Sequence, residues 1–177
     1  ILEREVPPTE KNIETSKKGQ YRIKDNFLAF WFRFVYPMRS FIESDHPEIA
    51  MTKLKTGFIP NHVGYVYEDI CRQKMWELNA QGKLPFLFDR VGRWWGGKDT
   101  EIDIVAIDTT DRSKIIFGEC KFHQNVPMQL SELHQLKEKA AVVPWGNANR
   151  DEYFALFCIS GYSEDLQQLA QEDSHLL

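Results

Sequence analysis

Two neighbouring stretches of the chain read as buried β-strands and nevertheless carry charged side chains. The stretch TEIDIVAI at 100–107 contains Glu101 and Asp103, and IIFGECKF at 115–122 contains Glu119 and Lys121. The polar turn TTDRS between them predicts a β-hairpin. Because an ionised carboxylate is costly to bury unless it is paired, this hairpin is expected to bring the four charges together.

The hairpin register can be predicted from the turn. Side chains alternate between the faces of a strand, so Glu101 and Asp103 share one face with Val105 and Ile107, and Glu119 and Lys121 share one face of the partner strand. A turn centred on Asp111 pairs residues whose numbers sum to about 222. Asp103 is then opposite Glu119, and Glu101 is opposite Lys121, where we expect an ion pair.

Opposed carboxylates destabilise a sheet unless a cation offsets their repulsion. A divalent cation held by Asp103, Glu119 and a neighbouring backbone carbonyl, assigned to Cys120, would do so, and oxygen ligands select hard ions such as Mg²⁺ or Mn²⁺. Such an ion activates water and stabilises charge on a phosphodiester. Lys121 would position the attacking water or screen the transition state. The alternative is a salt-bridged sheet face without metal.

The order of predicted elements indicates an α/β fold. A hairpin at 1–24 precedes an aromatic helix that opens at Asp25 or Asn26 and is apolar nearly all round, which predicts burial. A helix from Pro60 or Asn61 to Gly82 follows short helices or loops. The later elements are strands at 85–91, 100–108 and 113–122, a helix at 128–143, a strand at 153–160 and a closing helix. The last strand is expected to pair in parallel and the others antiparallel.

Within the helix that begins near Pro60, the expected inner side consists of Val63, Tyr67, Ile70 and Met75, with Glu68 beside it. Gly64 costs helix stability and so suggests the close approach of another backbone.

Glu68 on a helix, Asp103 on a strand and Glu119-Cys120-Lys121 on the next strand resemble the PD-(D/E)xK nuclease constellation. The resemblance implies a restriction-endonuclease-like mixed sheet flanked by helices. It also implies that Asp103 and Glu119 bind metal, that Lys121 assists the water and that Glu68 supports the metal shell. The chain departs from the pattern because no proline precedes Asp103.

A wider resemblance covers nearly the whole chain. The stretches GQYRIKDNFLAFWFRFVYP, GYVYEDI, GRWWGGKDTEIDIVAID and FGECKF are similar to the C-terminal domain of archaeal and bacterial AAA-type ATPases. The resemblance implies that 1–24 ends a winged helix, 25–59 is a linking helical segment and 60–177 is the nuclease-like domain. GGKDT at 96–100 is not a phosphate loop, so ATP hydrolysis would belong to an N-terminal ATPase domain of the same protein.

The net charge of −4 gives no global basic field, so nucleic-acid binding has to rest on a local patch. Residues 72–98 contain six lysines and arginines against two acids. Trp94 and Trp95 would either stack on bases or pack against the sheet. His134 and Lys137 are expected to face solvent. The expected nucleic-acid contacts are Arg90, Arg93, Lys98, His123 and Gln124.

The three cysteines form no disulfide framework, and no long apolar span is present, so a cytoplasmic protein without membrane insertion is expected. The chain begins at Ile1 rather than Met, which predicts a fragment of a longer protein. The leading hypothesis is Mg²⁺-dependent hydrolysis of DNA. The alternatives are an inactive interaction or regulatory domain that binds nucleic acid or protein, and a structural domain that forms homo-oligomers.

Overall fold

The structure, a computed structural model, describes residues 1–97, 99–147 and 149–177. The strands are β1 (Leu2–Glu5), β2 (Gln20–Ile23), β3 (Arg90–Gly96), β4 (Thr100–Ile107), β5 (Lys114–Lys121) and β6 (Asp151–Cys158). The α-helices are α1 (Asn26–Phe30), α2 (Arg39–Glu43), α3 (Pro47–Phe58), α4 (Gly64–Ala80), α5 (Leu130–Ala140) and α6 (Glu164–Glu172). Two π-helical turns, Trp31–Val35 and Ile59–Val63, continue α1 and join α3 to α4.

The main sheet has the strand order β3-β4-β5-β6. The pairs β3–β4 and β4–β5 are antiparallel, whereas β5 and β6 run parallel. The α/β class and these strand directions are therefore as predicted. In the β4–β5 hairpin, Ile104 pairs with Gly118 and Ile107 with Ile115, which confirms the predicted register over these pairs. The predicted pairs Asp103–Glu119 and Glu101–Lys121 are not formed, because the ladder ends at Ile104 and Gly118.

Each face of the sheet is covered by helices. Val105, Ile107, Ile115 and Phe117 pack with α5 and α6 through residues such as Leu133. The alternate side chains, including Ile104 and Ile116, pack with Cys71 and Met75 of α4. The inner side of α4 is thus Cys71, Met75 and Asn79, and the predicted position Ile70 is wrong because its side chain is 53% exposed.

A β-bulge interrupts the pairing of β3 with β4. Gly92 pairs with Val105, but Trp94 pairs with Ile102, so the two residues Asp103 and Ile104 lie opposite the single residue Arg93. An extra residue in a strand shifts the alternation of faces beyond it. Ile102 consequently packs on the α5 face, as Val105 does, and Glu101 points to the other face.

The sheet opens at the same level. Pairing between β4 and β5 ends at Ile104 and Gly118, although both strands continue. The rest of β4 stays with β3, as in the pair Trp95–Glu101, and the rest of β5 stays with β6, as in the pair Lys121–Cys158. We call this opening the β4–β5 fork.

The N-terminal elements depart from the prediction in two respects. The aromatic helix is not buried: Phe30 and Phe34 pack on Phe58, but Phe27 is 66% and Phe32 50% exposed. The contact with Phe58 covers only the side of the helix that carries Phe30 and Phe34, which leaves Phe27 and Phe32 exposed. Asp25 does cap it, through its carboxylate and the backbone N–H of Leu28.

The long helix also lacks the separate start that was predicted. Neither Pro60 nor Asn61 starts it, because the π-helical turn Ile59–Val63 continues α3 into α4. Gly64 meets only the carbonyl oxygen of Ile59, at 3.6 Å from an added Cβ, so no close backbone approach explains it.

The strand predicted at 85–91 begins only at Arg90. Phe88 is instead held by the buried side chain of Asn79, which donates to the Phe88 carbonyl and accepts from its N–H, both at 3.0 Å. This tertiary contact takes the place of strand pairing.

Among the helices of the described residues, none is long and apolar enough to cross a membrane.

Candidate active site

Asp103 lies in the bulge, at the mouth of the β4–β5 fork. Its carboxylate oxygen Oδ2 accepts a hydrogen bond from the backbone N–H of Cys120 at 2.8 Å. Its backbone carbonyl accepts from Arg72 Nη1 at 3.0 Å. The side chain thus spans the gap that the end of the β4–β5 ladder leaves open, and α4 anchors the backbone through Arg72.

Glu119 is buried, and both of its carboxylate oxygens are paired. Oε1 is 2.6 Å from Lys121 Nζ, and Oε2 is 3.1 Å from Lys139 Nζ on α5. The prediction that Lys121 pairs with Glu101 is therefore wrong. The bulge turns Glu101 away, and Glu101 instead pairs with Arg93 at 3.1 Å.

Glu68 approaches the fork from α4. Its Oε2 is 3.6 Å from Arg72 Nη1, and it is a buried atom with no hydrogen-bond partner within the described part of the chain. Burial, and then repulsion by Asp103, raise the pKa of Glu68 to about 8. The carboxyl group is therefore mainly protonated at neutral pH.

The acids at the fork influence one another's ionisation. Burial, and then the charge of Glu119, raise the pKa of Asp103 to about 6, against the opposing hydrogen bond from Cys120 N–H. Burial lowers the pKa of Lys121, but its hydrogen bond and attraction to Glu119 outweigh burial, so the pKa lies above its usual value. These carboxyl groups are buried close together and only partly neutralised, which is an arrangement that favours binding of a cation.

The donor set is compatible with a hard metal ion, but Lys121 and Lys139 compete with the ion for Glu119. Asp103 and Glu119 supply carboxylate oxygens, and the unpartnered Oε2 of Glu68 lies nearby. Lys139, however, already holds Glu119. Over residues 1–97, 99–147 and 149–177, no three His, Cys, Asp or Glu side chains are grouped as metal ligands.

The thiol of Cys120 does not belong to the donor set. It packs on the α4 face with Cys71 and Tyr67. Burial and the contact with Cys71 raise its pKa, the Cys71 contact being the larger effect. From the backbone of Cys120, the N–H rather than the carbonyl contacts Asp103.

The predicted nucleic-acid contacts are not gathered at the fork. Arg90 donates to the carbonyl of Glu10 at 2.9 Å, and Arg93 is paired with Glu5 and Glu101. His123 and Gln124 are exposed in the loop after β5. Lys98 lies outside the described residues.

The two tryptophans have different environments. Trp94 is 2% exposed and donates to Thr9 Oγ1, so it packs in the core and cannot stack on a base. Trp95 is partly exposed, and the Arg93 guanidinium lies 5.9 Å from its ring centroid. The alternative of packing against the sheet therefore holds for Trp94.

Two residues of the site were not predicted. In the sequence, Arg72 was recognisable only as part of a basic stretch, and Lys139 only as a charged residue near the end of α5. The available signal was position, since Lys139 is next to the inward-facing Ala140 and follows Leu136 by three residues on the helix that covers the Glu119 face. Helical spacing alone does not specify which strand residue lies beneath it.

Residues 31–140 match the model of a family described as archaeal and bacterial proteins of unknown function. The uncharacterised protein MJECL04 of Methanocaldococcus jannaschii is 35% identical over 157 residues, which make up 88% of this chain and 34% of that protein. The chain thus spans about a third of the length of this curated relative. No solved structure matches the chain.

Proposed function

The chain belongs to the DUF234 family of archaeal and bacterial proteins, and we propose that its β4–β5 fork hydrolyses phosphodiester bonds of DNA with Mg²⁺ or Mn²⁺. The observation that carries this proposal is the fork itself, which brings Asp103, Glu119 and Lys121 together and admits Glu68 from α4. The order α4-β3-β4-β5-α5-β6 supports a restriction-endonuclease-like assignment of the PD-(D/E)xK type.

In this proposal Asp103 and Glu119 hold the ion through carboxylate oxygens. The ion, when bound, would lower the pKa of a water molecule and neutralise charge on the phosphodiester. Lys121, which is 2.6 Å from Glu119, orients that water and offsets negative charge in the transition state. Glu68 keeps a proton on its carboxyl group near neutral pH and can donate a hydrogen bond to the water shell. Arg72 positions the Asp103 backbone.

The activity is tested by incubating the chain with double-stranded, single-stranded and branched DNA in Mg²⁺, Mn²⁺ or EDTA. We expect cleavage that requires the metal, and a loss of at least about 100-fold in Asp103→Asn and Lys121→Met, because each removes a group that acts on the reacting atoms. Glu138→Gln, an exposed acid on α5, is the matched control and should cleave normally. Cleavage that persists in Asp103→Asn contradicts the assignment.

Metal binding is tested separately: the chain is titrated with Mn²⁺, and calorimetry measures the binding. Lys139 competes for Glu119 Oε2, so Lys139→Met should tighten Mn²⁺ binding by about tenfold, or about 1.4 kcal/mol. Lys137→Met is the control because Lys137 lies over the Phe154 ring instead. Asp103→Asn should abolish binding, and absence of Mn²⁺ uptake by the unmodified chain would reject the metal site.

A second candidate is a catalytically inactive interaction or regulatory domain. It is favoured by the complete pairing of Glu119, whose two oxygens are already neutralised by Lys121 and Lys139. It predicts DNA or protein binding without cleavage, unchanged in Asp103→Asn and Lys121→Met. Under either candidate, we propose that an N-terminal ATPase domain of the same protein controls this domain, so the same variants should also be assayed in the full-length protein.

A further inference from the structure

A cavity of about 440 Å³ lies between the β1–β2 hairpin, α1, the start of α4 and β3. Ligand pockets for small molecules span about 300–1,000 Å³, so the cavity is large enough for one nucleotide. It combines aromatic rings with cations and hydrogen-bonding groups. Its lining includes Phe32, Arg33, Asn61, His62, Tyr65 and Arg93.

Both π-helical turns of the described structure border this cavity. Trp31–Val35 supplies Phe32 and Arg33, and Ile59–Val63 supplies Asn61 and His62. The guanidinium of Arg33 donates to the carbonyl of Asn61 and so links the two turns. A π-helical turn is a rare conformation that is frequently found at functional sites. Two such turns facing one cavity are a feature that core packing does not require.

The charges around the cavity are unevenly compensated. Arg93 is paired with Glu5 and Glu101, whereas Arg33 has no carboxylate within salt-bridge distance among the residues that the structure describes. The two guanidinium carbons lie 5.8 Å (Arg33) and 5.4 Å (Arg93) from the centroid of the Tyr65 ring. An anion that contacts both guanidinium groups would compensate the charge of Arg33.

His62 adds hydrogen-bonding capacity without adding charge. Burial, and then the charge of Arg33, lower its pKa, so the imidazole is neutral at physiological pH. Its ring stacks on Phe58, with ring centroids 5.5 Å apart. Asp69, the carboxylate that lines the cavity, is already paired with Arg22 and Arg72. The cavity therefore offers one uncompensated guanidinium, one neutral imidazole and aromatic faces, which together suit a phosphate joined to a base.

We propose that this cavity binds one nucleotide of a single-stranded nucleic acid, with the phosphate between Arg33 and Arg93 and the base against Tyr65 and Phe32. A base that enters a cavity cannot remain stacked in a duplex, which favours unpaired strands. Arg93 connects the cavity to the fork, because its charge acts on Glu68. The assignment of the ligand as a substrate strand rests on the proposed function.

Binding is measured by fluorescence anisotropy in EDTA, so that it is independent of metal and of cleavage. The probe is a 5′-phosphorylated, fluorescent oligothymidylate about eight nucleotides long, a length within the usual range for single-strand sites. Thymidine monophosphate, the unlabelled single strand and an unlabelled duplex serve as competitors. Competition by the monophosphate identifies a free nucleotide as a sufficient ligand, whereas competition by unlabelled single strands alone identifies the strand as the ligand.

Arg33→Gln should weaken binding about tenfold and lower the salt dependence of log Kd by about 0.7, the value for one phosphate contact in a single strand. Arg33 is exposed, and Arg33→Gln breaks no salt bridge among the residues that the structure describes. This variant should therefore fold normally. Lys53→Gln removes one exposed cation of α3 outside the cavity and should bind within about twofold of the unmodified chain. Tyr65→Leu should weaken binding at least about fivefold through lost stacking.

The proposal is overturned if Arg33→Gln binds the probe as tightly as Lys53→Gln, if the duplex competes better than the single strand, or if no binding is detected. These results are independent of catalysis. Binding in EDTA that depends on Arg33, in a chain that does not cleave DNA, would reject the proposed nuclease and retain the cavity. Metal-dependent cleavage without such binding would do the reverse.

Discussion

Asp103 links three parts of the molecule. Its position in the bulge directs its carboxylate to the N–H of Cys120 on β5, while its own carbonyl receives Arg72 from α4. Glu119 approaches from the other strand and Glu68 from the helix. Burial and then the charge of Glu119 raise the pKa of Asp103, and burial and then the charge of Asp103 raise the pKa of Glu68. The site is thus acidic and poorly solvated.

The burial of Glu68 predicts how stability depends on pH. Its pKa is about 8 in the folded protein against an ordinary value of 4.5, so between these values the folded state holds a proton that the unfolded chain has lost. The free energy of unfolding should therefore fall as pH rises from 4.5 to 8, by on the order of a few kcal/mol. Glu68→Gln should remove most of this fall.

The measurement is urea unfolding at several pH values between 4 and 9. The free energy of unfolding of Glu68→Gln should still fall with pH up to about pH 6, but with a smaller slope, since the pKa of Asp103 is also raised. Glu138→Gln, which removes an exposed acid of α5, should follow the unmodified chain. An unchanged pH dependence in Glu68→Gln would show that the carboxyl group is not buried as described.

At the level of elements, the β4–β5 fork depends on close packing immediately before it. Gly118 forms the last β4–β5 pair with Ile104, and β6 lies on its other side. A Cβ at Gly118 would be 2.9 Å from the Ile104 Cβ and 3.2 Å from the carbonyl oxygen of Ala155. The central strand can therefore approach its neighbours only without a side chain at this position.

Gly118→Ala should lower the free energy of unfolding by about 1–3 kcal/mol, because an added methyl group overpacks the core. Gly64→Ala is the matched comparison. Gly64 lies within a continuous helical run, where an added Cβ meets only the Ile59 carbonyl oxygen at 3.6 Å, so alanine should stabilise by about 0.5–1 kcal/mol. Urea unfolding compares the two variants, and equal effects would contradict the packing at Gly118.

For the whole molecule, the N-terminal segment is part of the structure that supports the site. The loop after β1 places Glu10 and Thr9 where Arg90 and Trp94 of β3 donate to them, at 2.9 and 3.0 Å. Arg22 of β2 pairs with Asp69 of α4 at 2.9 Å. These contacts hold β3 and α4, the elements that place Arg93 and Glu68, and the Arg22–Asp69 pair also lines the nucleotide-sized cavity.

Arg90→Gln tests this structural role. Loss of charge-assisted hydrogen bonds to backbone carbonyls should lower the free energy of unfolding by about 1.5–3 kcal/mol, without changing oligonucleotide affinity in the folded protein. Lys83→Gln, an exposed cation of the same basic stretch, should change neither quantity. Normal stability with weakened binding would instead identify Arg90 as the nucleic-acid contact that the sequence predicted.

Much of the fork could be predicted because it depends on local rules. A short turn fixes the register of a hairpin, and the pairs from Ile104–Gly118 to Ile107–Ile115 are as predicted. The partner of Glu101 could not be predicted, because the bulge arises between β4 and β3 and reverses the alternation beyond Asp103. The exposure of Phe27 and Phe32 was missed for a similar reason, since an aromatic pattern does not reveal how many neighbours a helix has.

The sequence by itself determined the α/β class, the strand directions and the proximity of Asp103, Glu119 and Lys121, since these follow from hydrophobic periodicity and a turn of a few residues. Only the tertiary structure decided that Lys139 and Arg72 contact Glu119 and Asp103 and that Glu101 points away from the site. It also decided that two π-helical turns border an arginine-lined cavity. Those features depend on contacts between elements distant in the chain, for which short-range spacing carries no information.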